Sequence, residues 1–271
     1  MALLELPQPY DFELSTGRYR AFGPDSANLW HEGGLHRVVG GREVRIEAAP
    51  GGVDVEPLDE ETEPVVRKLL GAEFELEPFY AWAQGDEVLH DLVRELPGLR
   101  PPLAPDPFES LVTSITAQQV SLRAAFAIRN RLTERFGVKA VHAYSFPTRE
   151  RLATATEDDL TGLGFSRRKA EYVLGLARSD LDLDGLRYRP DEEVKATLIA
   201  QRGLGEWTAD WFLARHLARP RAWPAGDLGL RKAVTHFYGE SGDVRAFGER
   251  FAPWQNLSAH YLLSGLLVAA R

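Results

Sequence analysis

One carboxylate, two tryptophans and a glycine turn lie within a single stretch of this chain, Leu198 to Val234, close enough in sequence to serve one site. Asp227 follows Pro224-Ala225-Gly226 and opens a periodic segment, Leu228–Phe237, that reads as a helix. A lone carboxylate can stabilise a positive charge that develops beside it in a transition state. It can also orient or deprotonate an attacking water. The same aspartate reads as an N-cap, a position that Asp fills well. Both roles are compatible, because a cap aspartate is rigid and sits in the favourable field of the helix N-terminus; the residues alone favour the cap. Trp207 and Trp211 are four apart on one helix face. Such a pair either lines a pocket that receives a flat cation or is plain core, the commoner fate of tryptophan on a helix. Just before them, Gly203-Leu204-Gly205 makes a turn that glycine adopts without strain. With Glu206 starting the next helix, that turn aims the backbone N–H groups of Leu204 to Trp207 outward, which is a phosphate-binding arrangement.

The elements that must hold these residues read as a small β-rich start followed by helices. Phe12–Phe22 alternates loosely, Leu35–Val39 and Val44–Ala48 flank the Gly40-Gly41 turn, and Val53–Val55 follows Pro50-Gly51-Gly52, which predicts an antiparallel meander over residues 1–57. A helix is expected at Glu61–Leu70, ended by Gly71. Further helices are expected at Pro78–Trp82, Glu87–Glu95, Pro107–Gln118, Ser121–Phe136, Thr148–Thr154, Glu157–Leu163, Arg167–Ala177, Asp191–Ala200, Glu206–Ala218, Leu228–Phe237, Val244–Phe251 and Leu257–Ala270. Pro97–Pro102 reads as a linker and Asp182–Pro190 as a loop.

Composition removes several alternatives. The 271 residues suffice for two or three subdomains sharing a core. No apolar run reaches the roughly 18–20 residues that span a bilayer, and the start lacks a basic segment of the signal-peptide kind, so a cytoplasmic protein is expected. There is no cysteine, which excludes disulfides and thiolate-held clusters in this chain. The net charge of −8 argues at first against a polyanionic partner. Residues 1–100, however, hold 20 acids and 9 bases, and residues 101–271 hold 20 acids and 23 bases, so the part carrying the turn and Asp227 is mildly basic.

The ordered set Gly203-Leu204-Gly205, Trp207-Thr208-Ala209 and Gly226-Asp227 resembles the helix–hairpin–helix DNA glycosylases, and among them the bacterial 3-methyladenine (alkylated-base) glycosylases. A second resemblance runs from Asp106-Pro107-Phe108-Glu109 to Gln118-Gln119-Val120-Ser121. The resemblance implies a mostly α fold, α+β overall: a glycosylase core of two helical subdomains (106–227, and 77–105 with 228–271) behind a small antiparallel β-rich domain, 1–76. It implies that Asp227 is the catalytic acid, that Trp207 and Trp211 line the base pocket, and that Gly203, Leu204, Gly205 and Glu206 form the DNA-binding hairpin. Gln119 falls at the position that wedges into the gap left by a flipped base, although wedges are usually apolar. The hairpin carbonyls of Arg202 and Leu204 would hold a monovalent cation (Na+ or K+); no side-chain metal site and no iron–sulfur cluster are expected. Lyase-active relatives place a lysine two residues after the second hairpin glycine. Here that residue is Trp207, which implies a monofunctional enzyme.

The implied activity is hydrolysis of the N-glycosidic bond of alkylated purines, 3-methyladenine and 7-methylguanine, in damaged double-stranded DNA by a monomer. Two alternatives stand beside it: the same fold acting on deaminated, etheno or oxidised bases, and a non-catalytic helix–hairpin–helix DNA-binding module. Arg167, Arg168 and Lys169, at a helix start after the echoing Gly162-Leu163-Gly164, read either as phosphate contacts or as a solvated basic face. The chain departs from the family pattern at Arg202, where proline is usual, at Gln255-Asn256, where Arg-Ser is frequent, and near Leu263, where a tryptophan is common. These departures bear on which base is taken.

Overall fold

The structure is a computed structural model that describes residues 1–239 and 242–269. The protein is mostly helical, with one small antiparallel sheet at its N-terminal end. The sheet holds β1 (Ala2–Glu5), β2 (Asn28–His31), β3 (Gly34–Val39), β4 (Arg42–Ala49) and β5 (Gly52–Glu56), in the order β1-β5-β4-β3-β2. The three expected strands form its centre, with Val38 opposite Glu43 and Ala48 opposite Val53. The two outer strands were not expected, since each is four residues long and pairs on one side only.

Phe12–Phe22 is not a strand. It folds as two short helices, Phe12–Thr16 and Arg18–Ala21. Asp11 caps the first by accepting from the Leu14 N–H at 2.8 Å, and the buried residues Phe12, Ser15, Thr16 and Tyr19 recur at helical spacing.

The remaining helices lie close to their expected bounds because their caps are written in the sequence. Asp86, Asp106, Ser121, Thr148, Thr156, Ser166 and Asp227 each accept a first-turn backbone N–H. Four differences are clear. The expected helix at 206–218 ends at Arg215. The expected helix at 244–251 divides into Val244–Gly248 and a 3-10 turn, Glu249–Phe251. The last helix begins at Gln255, and the loop 182–190 contains a 3-10 turn, Asp184–Tyr188.

Apolar side chains gather in three clusters. One joins the sheet to the helix Thr62–Leu69 and includes Phe12, Tyr19, Ile46 and Val66. A second draws on both ends of the helical region, from Phe74 to Leu103 and from Trp223 to Leu262. The third holds Phe108 to Ala222 and includes Trp211.

Buried charge couples the sheet to the third cluster. Arg37 on β3 donates to both Glu109 oxygens, at 3.0 and 2.5 Å, and to Asn28 Oδ1 at 3.0 Å. Arg129 donates to Glu109 at 2.6 Å and pairs with Asp25. All four charged groups are buried. Burial alone would raise the Glu109 carboxyl, but the two guanidinium groups hold it below its ordinary value. Among the described residues, no helix is long and apolar enough to cross a membrane.

Candidate active site

The helix Asp191–Ile199 ends in a hairpin that leads into the helix Glu206–Arg215. Gly203 has φ +91, and a Cβ there would collide with the Tyr172 ring, so only glycine fits. Gly205 differs from expectation: its φ of −109 is open to any residue, and nothing lies within 4 Å of where its Cβ would be. Leu204 is buried and anchors the hairpin in the third apolar cluster. Its N–H donates to the Gln201 carbonyl at 3.1 Å, so it is not one of the donors offered to a phosphate, contrary to expectation. The donors begin further along, because the N-cap Gly205 has no side chain with which to satisfy the first-turn amides. The Glu206 carboxylate turns aside to Arg245, at 3.1 Å.

The turn Gln118–Ser121 lies beside this hairpin. Gln118 Nε2 donates to the Gly203 carbonyl at 2.8 Å, and Ser121 caps the next helix. Gln119 takes a left-handed backbone, φ +54, and stands exposed. The two glutamines thus take different roles: Gln118 ties the turn to the hairpin, and Gln119 projects from it. Of the three basic residues at 167–169, Arg167 and Arg168 are exposed, and Arg168 Nε donates to the Tyr172 hydroxyl at 3.3 Å. Lys169 donates to the Thr116 carbonyl at 2.9 Å and is half-buried, a structural bond between two helices.

Asp227 is the N-cap of the helix Leu228–Tyr238, accepting from Leu230 N–H at 3.0 Å through Oδ1. Its other oxygen accepts from both tryptophans, Trp207 Nε1 at 2.9 Å and Trp211 Nε1 at 3.0 Å. Cap and site are therefore one arrangement. The helix end fixes one oxygen, and two indoles on a neighbouring helix fix the other. Gly229 leaves room beside the carboxylate, since a Cβ there would lie 3.0 Å from Asp227 Oδ1 and 3.2 Å from Leu263 Cδ2.

Asp227, Trp207, Trp211, Gly205 and Gln119 all line a single cavity of about 1120 Å³. Its rim includes exposed Val120, Leu122, Leu228 and Leu267. The cavity exceeds what a free nucleobase needs and lies open to the surface between the turn 118–121 and the C-terminal helix Gln255–Ala269.

Two of its residues were missed in the sequence. Arg215 lies with Cζ 3.5 Å from the centroid of the Trp211 ring, and its Nε reaches His260 Nε2 at 3.5 Å. Positions 207, 211 and 215 share a helix face, a spacing that pointed to Arg215. Arg18 lines the cavity from the N-terminal domain, and no local pattern marks it. Burial and the charge of Arg18 push the Arg215 guanidinium well below its ordinary value, against the pull of Asp227. His260, buried and bonded to the Asn256 carbonyl at 2.9 Å, is pushed down to about 3 by burial and by Arg215. Among the described residues, no three His, Asp or Glu side chains are grouped so as to hold a metal ion.

The model of the HhH-GPD superfamily of base excision DNA repair proteins matches residues 112–253, a span that contains the turn 118–121, the hairpin, both tryptophans and Asp227. The chain belongs to the HhH-GPD superfamily. Its similarity to other members spans both sequence and shape. The DNA-3-methyladenine glycosylase of Bacillus subtilis is 32% identical over 183 residues, which are 65% of this chain and 60% of that one. The chain therefore spans about 60% of the length of that relative. The 3-methyladenine DNA glycosylase of Archaeoglobus fulgidus is 28% identical and superposes with a TM-score of 0.87 over 97% of each chain. The 3-methyladenine DNA glycosylase of Schizosaccharomyces pombe, solved with abasic DNA, is 26% identical, with a TM-score of 0.58 over 67% of this chain and 92% of that one. The HhH-GPD match and the fold agree on a mostly helical core behind a small sheet.

Proposed function

We propose that this HhH-GPD protein is a monofunctional DNA glycosylase that hydrolyses the N-glycosidic bond of alkylated purines in duplex DNA and leaves an abasic site. The observation that carries the reading is Asp227, held by three N–H donors at the wall of a cavity large enough for a flipped base. A carboxylate so fixed stabilises the oxocarbenium-like sugar and aligns the water that attacks it. The relatives' names and the abasic-DNA complex of the S. pombe enzyme support the same substrate class.

The protein acts as a monomer. The hairpin amides beyond Gly205 receive a phosphate, and Gln119, projecting beside the cavity mouth, fills the gap in the base stack. The hairpin also suits a monovalent cation: its carbonyls are hard oxygen donors, and with that of Gly203 bonded to Gln118, those of Arg202 and Leu204 would be its ligands. Trp207 occupies the position at which a lyase would carry its amine. The indole supports hydrolysis rather than a covalent imine.

The test is incubation with methylated duplex DNA. Release of free methylated base, with strand breaks appearing only after alkali, is the expected result. Direct strand cleavage by the protein would contradict the monofunctional reading, and release of no base from methylated DNA would contradict the substrate class.

A further inference from the structure

The hairpin helix carries two carboxylates on one face, Glu206 in its first turn and Asp210 one turn later. Glu206 is exposed and stands next to the N-cap Gly205. Asp210 is buried; its Oδ1 receives Lys195 Nζ at 2.9 Å, and its Oδ2 has no hydrogen-bond partner among the described residues. Arg245 reaches both from outside the hairpin, with one terminal nitrogen 3.1 Å from Glu206 Oε2 and 3.7 Å from Asp210 Oδ2. The short helix Val244–Gly248 delivers it, and Asp243 fixes that helix by accepting from the Arg245 and Ala246 N–H groups at 2.9 and 3.3 Å. Neither carboxylate nor the arginine lines the cavity that holds Asp227.

An exposed pair of this kind adds little to stability. What it changes is the field at the hairpin. The free amides at a helix start draw anions, a phosphate and a carboxylate alike. An unpaired Glu206 carboxylate lies where the phosphate must approach, and like charges repel. Arg245 neutralises that charge and turns the carboxylate aside. The buried Asp210 gives the guanidinium a second, fixed anion, so its place does not depend on the mobile Glu206 side chain alone. We propose that Arg245 is a positioning residue for DNA binding: it holds Glu206 aside and keeps the hairpin amides open to a backbone phosphate. The inference rests on the glycosylase reading given above, through the phosphate-binding role of the hairpin.

The rival role is direct contact. Arg245 and Arg231 border one cleft of about 220 Å³ beside Gly226, and a phosphate seated there would meet Arg245 itself. The two roles predict opposite results once Glu206 is made neutral. If Arg245 works through Glu206, its loss then costs nothing further. If it touches phosphate, its loss costs the same with or without that carboxylate.

The experiment is fluorescence anisotropy over a range of salt, with an undamaged duplex and one carrying an abasic site. The proteins are wild type, Arg245→Ala, Arg245→Lys, Glu206→Gln and the double variant Glu206→Gln with Arg245→Ala. Arg245→Ala is expected to weaken binding to both duplexes about fivefold, the effect of one uncompensated like charge near a surface. Arg245→Lys keeps the pairing charge and most of the affinity. In the Glu206→Gln background, Arg245→Ala is expected to change affinity by less than about twofold. A loss that persists at full size in that background, with the salt slope lowered by about one, places Arg245 on the phosphate itself and overturns the inference. An Arg245→Ala protein that binds as tightly as wild type overturns it too. Either result, with wild type binding both duplexes, leaves the glycosylase reading standing. A wild type that binds neither duplex overturns both.

Discussion

The hairpin glycines separate cleanly in the structure, and the separation predicts unequal mutants. Gly203→Ala forces an L-residue to φ +91, in the region where left-handed backbone costs roughly 1–2 kcal/mol. The new methyl would also lie 2.7 Å from Tyr172 Cβ and closer still to the ring, an overpacking that costs about 1–3 kcal/mol. The expected destabilisation is therefore about 2–5 kcal/mol, shared between global stability and displacement of the hairpin. If about 2 kcal/mol of it moves the hairpin, DNA affinity falls roughly 30-fold, by the same factor on damaged and undamaged duplex. Gly205→Ala meets open space at an ordinary φ. A weaker N-cap is offset by a less flexible unfolded chain, for a net change within about 0.5 kcal/mol. Adding Tyr172→Ala to Gly203→Ala removes the ring contacts but leaves the Cβ contact and the backbone strain, so rescue is partial. Urea titration and fluorescence anisotropy at fixed salt report both quantities. Equal losses for Gly203→Ala and Gly205→Ala would refute the steric reasoning.

Three further outcomes follow from other parts of the fold. Glu109→Gln leaves Arg37 and Arg129 buried without their shared carboxylate and should cost about 3–5 kcal/mol by urea titration; a loss below about 1 kcal/mol would contradict the network's role. Trp207→Phe with Trp211→Phe keeps both rings but removes two N–H donors from Asp227. Base release should fall at least about 10-fold per donor while DNA binding persists, and unchanged rates would show that the carboxylate needs no such holding. His216, like His260, is pushed down to about 3, chiefly by burial and then by Lys68. Since unfolded histidine titrates near 6.5, the unfolded chain takes up protons first as pH falls. Stability present at pH 7 is then lost between about 6.5 and 3, at up to roughly 1.4 kcal/mol per pH unit per histidine. A urea midpoint that stays constant from pH 7 to 4 would contradict this.

Helix positions were legible because Asp, Ser and Thr caps sit in sequence next to the turns they satisfy. The sheet was legible only at its centre, where alternation reflects burial on one face; the four-residue outer strands carry too short a pattern. Phe12–Phe22 was misread because its loose alternation hid a cap at Asp11 and a 3.6-residue spacing of buried groups. At the site, the hairpin, Asp227 and the tryptophan pair stood out by spacing. The use of the tryptophans did not: indole N–H groups meeting one carboxylate oxygen across 16 and 20 residues is a tertiary fact. Arg18 reaches the cavity only because the N-terminal domain packs against the core, and the pairing of Arg37 with Glu109 joins residues 72 apart.

The central claim is that Asp227 performs the reaction, and the most direct measurement is base release from methylated duplex DNA by wild type and Asp227→Asn side by side, with DNA affinity measured on the same samples. Asparagine also caps helices, so the variant keeps the start of Leu228–Tyr238 and removes the charge. Release by wild type, with loss of at least about 1000-fold in Asp227→Asn at near-normal DNA affinity, is the predicted result. An Asp227→Asn protein that releases base at near wild-type rates would contradict the account.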